Sequence, residues 1–241
     1  MTTMPTRTVA PTRTWSTVLF DLDGTIVDSA ADITASLAHM FTQLGLDVPS
    51  DDALRSYVGP PLLDSLRLTA GFDDAEAWAA LNLYRDHYGE HVLRSPVFPG
   101  VAGVLERLHA AGIPVALATS KPESMARTVL DHHDLAKYFT VIAGASDDEE
   151  LSTKADVVRE ALRRLQAKGI DTSNAVMVGD RGYDALGAAA NGVPTIMVEW
   201  GYGSPAEAGD AMSVVHSADQ LRNLLLDHGR TAQTTAQDAL R

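Results

Sequence analysis

The sequence predicts an α/β fold: a doubly wound parallel-sheet, Rossmann-like core with a small all-helical domain inserted after its first strand. Two observations predict it. Short apolar runs at residues 17–20, 114–119, 139–143 and 175–179, followed by a fifth at 195–200, each lead into polar or glycine-containing sequence, and long amphipathic stretches separate most of them. That alternation is the pattern of a parallel sheet flanked by helices. The spacing is also uneven, because residues 21–113 separate the first two runs, far more chain than one crossover helix needs.

The first 14 residues are rich in Thr, carry Arg7 and Arg13, and lack the apolar stretch of a secretory signal. The reading is a flexible arm over 1–15 and a cytoplasmic location. Between 30 and 92 the apolar spacing is helical: Ile33, Leu37, Met40 and Phe41, then Leu62, Leu63 and Leu66, then Trp78, Leu81 and Tyr84. Two prolines and a glycine at 95–100 interrupt helical continuation and mark a candidate hinge. The core is expected over 16–29 and 93–226, the helical domain over 30–92, and a polar tail over 227–241.

Bulk composition bounds the function. With 241 residues, 45% hydrophobic and 21% charged, the chain is ordinary globular material with room for one core and a smaller insertion. Its 19 basic and 32 acidic residues leave a net charge of −13, which disfavours a nucleic-acid polymer or an anionic membrane as partner. An anionic substrate then needs a local positive site. The absence of cysteine excludes thiolate catalysis and disulfides. No apolar run approaches the roughly 20 residues of a membrane span.

The first run leads into Asp21-Leu22-Asp23-Gly24-Thr25, two acids at a strand's carboxyl end, where open α/β sheets bind ligands. A covalent phosphatase needs such a pair, Asp21 to attack phosphorus and Asp23 to protonate the leaving oxygen and then activate water. Gly24 permits a tight turn whose N–H groups can approach a phosphate. Alone, the pair also fits an ordinary turn. The second run ends at Thr119-Ser120-Lys121-Pro122-Glu123, where Ser120 and Glu123 have capping-box spacing and offer a phosphate seat at a helix start, or an ordinary N-cap.

Lys154 opens the next helical stretch, where a cation opposes the helix dipole and a bound phosphate would explain it; a solvated lysine is the alternative. Gly179-Asp180-Arg181-Gly182-Tyr183-Asp184 again puts acids at a strand end. With Asp21, Asp180 suits the oxygen-rich site that Mg²⁺ prefers, with Asp184 binding through water or holding the other ligands in place. Acids at a helix start also serve as caps.

This ordered set, DLDGT at 21–25, Thr119, Lys154 and GDRGYD at 179–184, resembles the four motifs of the haloacid dehalogenase superfamily. The resemblance implies that Asp21 is the nucleophile and Asp23 the acid/base. It implies that Thr119 and Lys154 hold the phosphoryl group, with Gly24, Thr25, Ser120 and Lys121 as further phosphate-binding candidates. Mg²⁺ would be held by Asp21, the Asp23 backbone carbonyl and Asp180, with Asp184 nearby. The helical insertion is similar to the cap of the phosphoglycolate phosphatase-like branch, and 57–62 and 200–203 are similar to members called phosphoglycolate phosphatase or 5'-nucleotidase. Arg181 stands where Ser or Thr is more usual.

The implied activity is hydrolysis of a small phosphorylated metabolite through an aspartyl-phosphate, by a monomer or homodimer. Asp23 separates it from dehalogenases, which need no acid for a halide. The alternatives are a 5'-nucleotidase or pyrophosphatase, a phosphomutase, and a phosphoaspartate signalling or binding protein without turnover. His87 and His91 have metal-pair spacing without an evident third ligand, and Gly201-x-Gly203-x-x-Ala206 reads as a loop. Arg55, Arg67 and Arg85 are candidates for a second anionic group, or solvated helix-face residues.

Overall fold

The computed structural model describes residues 15–226. The residues assigned to the polar tail, 227–241, and all but Trp15 of the N-terminal arm lie outside that range. Trp15, the last residue assigned to the arm, is buried against the core.

Among the described residues, six strands form one sheet: β1 (Thr17–Phe20), β2 (Val115–Pro122), β3 (Val141–Ala145), β4 (Ala175–Gly179), β5 (Thr195–Val198) and β6 (Ser213–Val215). Their order is β3-β2-β1-β4-β5-β6 and every pairing is parallel. The chain winds outward from β1 to β3, then returns to lay β4 on the other side of β1. The carboxyl ends of β1 and β4 therefore flank the switch point, where such sheets open a crevice.

Between β1 and β2 in sequence the insertion contributes α1 (Ala30–Gln43), α2 (Asp51–Arg55), α3 (Leu62–Leu68) and α4 (Asp74–His91), and the core helix α5 (Val101–Ala110) follows them before β2. Helix α4 starts with a reciprocal capping box, Asp73 accepting from the Glu76 N–H and Glu76 from the Asp73 N–H, each at 2.9 Å. The remaining helices are α6 (Glu123–His132), α7 (Lys154–Ala167), α8 (Gly182–Ala189) and α9 (Ala218–Leu226).

Alternation along the strands sorts the core. Val18 and Phe20 face the layer of α5, α6 and α9, whose apolar cluster continues into the helical insertion, while Leu19 faces α7 and α8. Every residue of β1 is buried on both faces, as parallel strands are.

Several boundaries differ from the sequence reading. Strand β2 continues to Pro122 because an irregularity after Ala118 lets Pro122 pair with Ala145. Ser120 is thereby held in the strand extension, so the Ser120–Glu123 capping box does not form; Pro122 precedes α6 with no side-chain cap. Strand β3 starts two residues later than the apolar run, and β5 ends at Val198, leaving Trp200 in the following loop. The edge strand β6 was not anticipated, since three residues carry no readable period.

Candidate active site

Four strand ends or loops deliver buried polar groups to one place. Asp21 follows β1, Thr119 lies in β2, Lys154 opens α7, and Asp180 and Asp184 flank the β4–α8 turn; all five are buried. Thr153 fixes the start of α7 by accepting from the Asp156 N–H at 3.2 Å, which aims the Lys154 stem inward. The Lys154 Nζ lies 2.7 Å from Asp21 Oδ1, 2.9 Å from Asp184 Oδ1 and 3.2 Å from the Ala118 carbonyl, to which it donates.

Ligand oxygens of Asp21, Asp180 and Asp184 all lie within 4.8 Å of one another. Three carboxylates and one ammonium leave two negative charges uncompensated if all are ionised. Burial accordingly pushes Asp21 up to about 6, Lys154 opposing and Asp184 adding to the rise. Burial also raises Asp180 well above the carboxylate range, and Asp184 and Asp21 reinforce it. Burial disfavours the Lys154 ammonium, yet Asp184 and Asp21 outweigh it and raise its pKa. Apart from the Lys154 ion pairs, Asp21 Oδ1 and Asp184 Oδ1 accept no hydrogen bond although sealed from water. A hard divalent cation with oxygen preference fits this donor set and its missing charge.

Glycines make the cluster possible. Gly24 has φ +81°, and a Cβ there would lie 2.2 Å from Asp180 Oδ2; at Gly201 a Cβ would lie 2.2 Å from the Asp180 Cβ. The Gly24 N–H donates to the Val27 carbonyl at 2.9 Å, so Gly24 shapes the turn and makes room for Asp180 rather than offering a free donor. Thr25 also departs from a phosphate contact, donating through its hydroxyl to Asp180 Oδ1 at 3.1 Å. Asp184 Oδ2 accepts from the Asp180 and Arg181 N–H groups at 3.1 and 3.0 Å.

Asp23 points elsewhere. Its carboxylate accepts from Ser29 Oγ at 2.6 Å and pairs with Lys121 Nζ at 2.9 Å, outside the convergent triad. Lys121 in turn donates to the Tyr88 hydroxyl at 2.8 Å, which ties α4 to β2. Ser120 Oγ is buried and has no hydrogen-bond partner among the described residues. Arg181 donates to Glu207 at 3.0 Å and to the Val58 carbonyl, joining the β4–α8 turn to the helical insertion.

A cavity of about 80 Å³ lies between the insertion and the sheet. Asp21, Asp23, Thr119, Ser120 and Lys121 line its floor, and Tyr57, Leu62, Leu81, Tyr84 and Tyr88 form much of its walls. Arg85 lines it too, whereas Arg67 pairs with Asp64 and Asp74, and Arg55 is exposed. His87 stacks between His39 and His91 at 4.1 and 4.4 Å, and its Nδ1 lies 2.9 Å from Ser36 Oγ.

Two roles escaped the sequence reading. Tyr88 reads as one more apolar position of a helix, and nothing local marks its hydroxyl as a lysine partner. The 200–203 loop wraps the acid cluster: the Tyr202 N–H donates to Asp180 Oδ2 at 2.7 Å, and the Tyr202 hydroxyl accepts from the Ser29 N–H at 2.7 Å. Its two glycines just beyond a strand end were the available signal.

Comparison with known proteins agrees with this fold. The chain is 40% identical over 225 residues to the tyrosine-protein kinase PtkA of Mycobacterium tuberculosis, covering 91% of this chain and 75% of that protein. It is 37% identical over 214 residues to a 5'-nucleotidase of Pseudomonas aeruginosa (88% and 96%), and 33% identical over 217 residues to a phosphoglycolate phosphatase of Pseudomonas fluorescens (86% and 78%). The crystal structure of a predicted phosphatase from Clostridium acetobutylicum superposes with a TM-score of 0.82 at 37% identity, covering 88% of this chain and 98% of that one. The family model described as haloacid dehalogenase-like hydrolase matches residues 18–198, and the chain belongs to that family.

Proposed function

We propose that this protein is a phosphomonoesterase that transfers the phosphoryl group of a small metabolite to Asp21 and then to water. The observation that carries this reading is Lys154 Nζ beside Asp21 Oδ1 in a buried acid cluster at the carboxyl ends of β1 and β4. A carboxylate held there can attack phosphorus in line, and the Lys154 ammonium neutralises phosphoryl oxygens as charge shifts in the transition state.

Asp21, Asp180 and Asp184 would hold Mg²⁺, with the Asp23 carbonyl as the further ligand that the family resemblance implies. When bound, the metal supplies positive charge to the phosphoryl oxygens. Thr119 and Ser120, lining the cavity floor, supply hydroxyls to the transferring group. Asp23 gives a proton to the departing alcohol and takes one from the water that hydrolyses the aspartyl-phosphate. Ser29 and Lys121 hold its carboxylate against the cavity, and substrate binding must loosen the Lys121 pair before Asp23 carries a proton.

The α1–α4 layer acts as a cap. It contributes the aromatic walls of the cavity and contacts the core through Arg181–Val58 and Tyr88–Lys121. In that position it excludes water from the aspartyl-phosphate until the leaving group has gone.

The relatives' names divide between phosphate-ester hydrolysis and protein-tyrosine phosphorylation. Mg²⁺-dependent assays should therefore measure two products: free phosphate from phosphoglycolate, nucleoside monophosphates, sugar phosphates and pyrophosphate, and phosphotyrosine formed with ATP and a tyrosine peptide. The proposal expects free phosphate from at least one ester. Phosphotyrosine without ester hydrolysis would replace water by a tyrosine hydroxyl as the acceptor and overturn it.

A further inference from the structure

The chemistry of the leaving group is written in the charges around the cavity. Five charged residues line it: Asp21, Asp23, Lys121, Arg85 and Glu149. Both cations are already paired. Lys121 binds Asp23 at 2.9 Å, and Arg85 donates to the Glu149 carboxylate and, at 3.1 Å, to the Asp147 carbonyl.

The Arg85–Glu149 pair is built rather than incidental. Arg85 comes from α4 and Glu149 from the loop after β3, so the pair forms only where insertion and core meet. Glu149 has φ 60°, a left-handed conformation that side-chain-bearing residues seldom adopt. The loop is held by the Glu149 N–H donating to the Ser146 carbonyl at 3.0 Å and the Leu151 N–H donating to Ser146 Oγ at 3.0 Å. Both side chains are mostly removed from water, at 20% and 9% exposure, so the Arg85 charge is spent locally rather than screened by solvent.

We propose that Arg85 and Glu149 form a specificity pair that keeps the leaving-group end of the cavity electrically neutral. With Ile33, Tyr57, Leu62, Leu81, Tyr84 and Met125 as the apolar surroundings, the site selects phosphomonoesters whose leaving group is uncharged with an apolar or aromatic face. It rejects those carrying a second anion, such as a carboxylate. A second anion would have to displace Glu149 from Arg85 or stay unpaired in a partly dry cavity, and either cost raises the barrier for that substrate alone. The inference rests on the phosphatase reading and deepens it by naming the substrate class.

The test compares kcat/KM for three esters: phosphoglycolate, its neutral isosteric amide, and benzyl phosphate. The wild type should favour the amide over phosphoglycolate by tenfold or more, with benzyl phosphate also ahead of phosphoglycolate. Glu149→Gln frees the Arg85 charge and should raise the phosphoglycolate-to-amide ratio at least tenfold; Arg85→Gln should lower it. A pair that merely strapped insertion to core would change all three esters alike. Wild-type preference for phosphoglycolate, or an unchanged ratio in the folded Glu149→Gln protein, would overturn the inference and leave the phosphatase reading standing. If neither variant folds, the wild-type ratio decides alone. No phosphate from any ester would instead remove the phosphatase reading and the inference with it.

Discussion

Lys154 Nζ stands 2.7 Å from Asp21 Oδ1, with both side chains almost wholly removed from water. Burial raises the Asp21 and Asp180 pKa values, and the crowding of three carboxylates around one ammonium adds to the rise and leaves a charge that a divalent cation fits. The site is electrostatically incomplete by itself.

Replacing Lys154 by Met should lower kcat by about 10²–10³-fold, the usual cost of losing one preorganised charge on a transition state. It should also reduce stability, since the acids lose their internal counter-ion. Steady-state kinetics and thermal melts with and without Mg²⁺ measure the two effects separately. Undiminished kcat would remove Lys154 from the chemistry.

The metal-free protein should grow more stable as pH falls from neutrality. Asp21 has a folded pKa of about 6 against 3.8 as its ordinary value, so folding is penalised above about 6 and the penalty is relieved as pH falls toward 4. Asp180, raised by the same burial, acts in the same direction. Mg²⁺ should raise Tm more at neutral pH than near pH 5, where it competes with protons. A metal shift that is larger at the acid end would contradict this electrostatic account.

Asp180→Asn removes one of the crowded charges. It should raise the metal-free Tm at neutral pH, at about 2–4 °C per kcal/mol of relieved repulsion for a chain of this size, and largely abolish the Mg²⁺-induced shift. A variant that melts lower than wild type without metal and retains the full Mg²⁺ shift would deny Asp180 its place in the site.

Gly201→Ala should fail for a steric reason. The new methyl would meet the Asp180 Cβ at 2.2 Å, so Asp180 or the 200–203 loop must move. The expected cost is about 1–3 kcal/mol of stability, as for other overpacked sites, together with a raised Mg²⁺ requirement. Denaturant melts and a Mg²⁺ titration of activity check both; wild-type values would mean that the loop does not hold Asp180.

The parallel core was legible from its buried apolar runs, and the Asp21, Thr119 and Asp180 positions because each sits at or near the end of such a run, where open sheets bind ligands; Lys154 instead opens a helix after a loop. The glycine-rich sequence around Asp21 and Asp180 was legible for a similar reason, although Gly24 and Thr25 turned out to engage the turn and Asp180. What stayed hidden depends on contacts between distant segments. Lys121 follows the Thr119 motif and reads as a phosphate ligand, yet its partners are Asp23 and Tyr88 from other elements. Arg85 is one of several helix arginines until the left-handed turn at Glu149 supplies its partner. The capping-box spacing of Ser120 and Glu123 does not become a cap, because a strand irregularity, invisible in residue spacing, carries β2 on to Pro122.

The most direct test of the account is Mg²⁺-dependent release of phosphate from the ester panel by the wild type beside Asp21→Asn, with both proteins shown to be folded. The wild type should turn over, and Asp21→Asn should fall to the assay's floor, because an amide cannot serve as the attacking carboxylate. Comparable turnover in the two proteins would contradict the assignment of Asp21 as nucleophile.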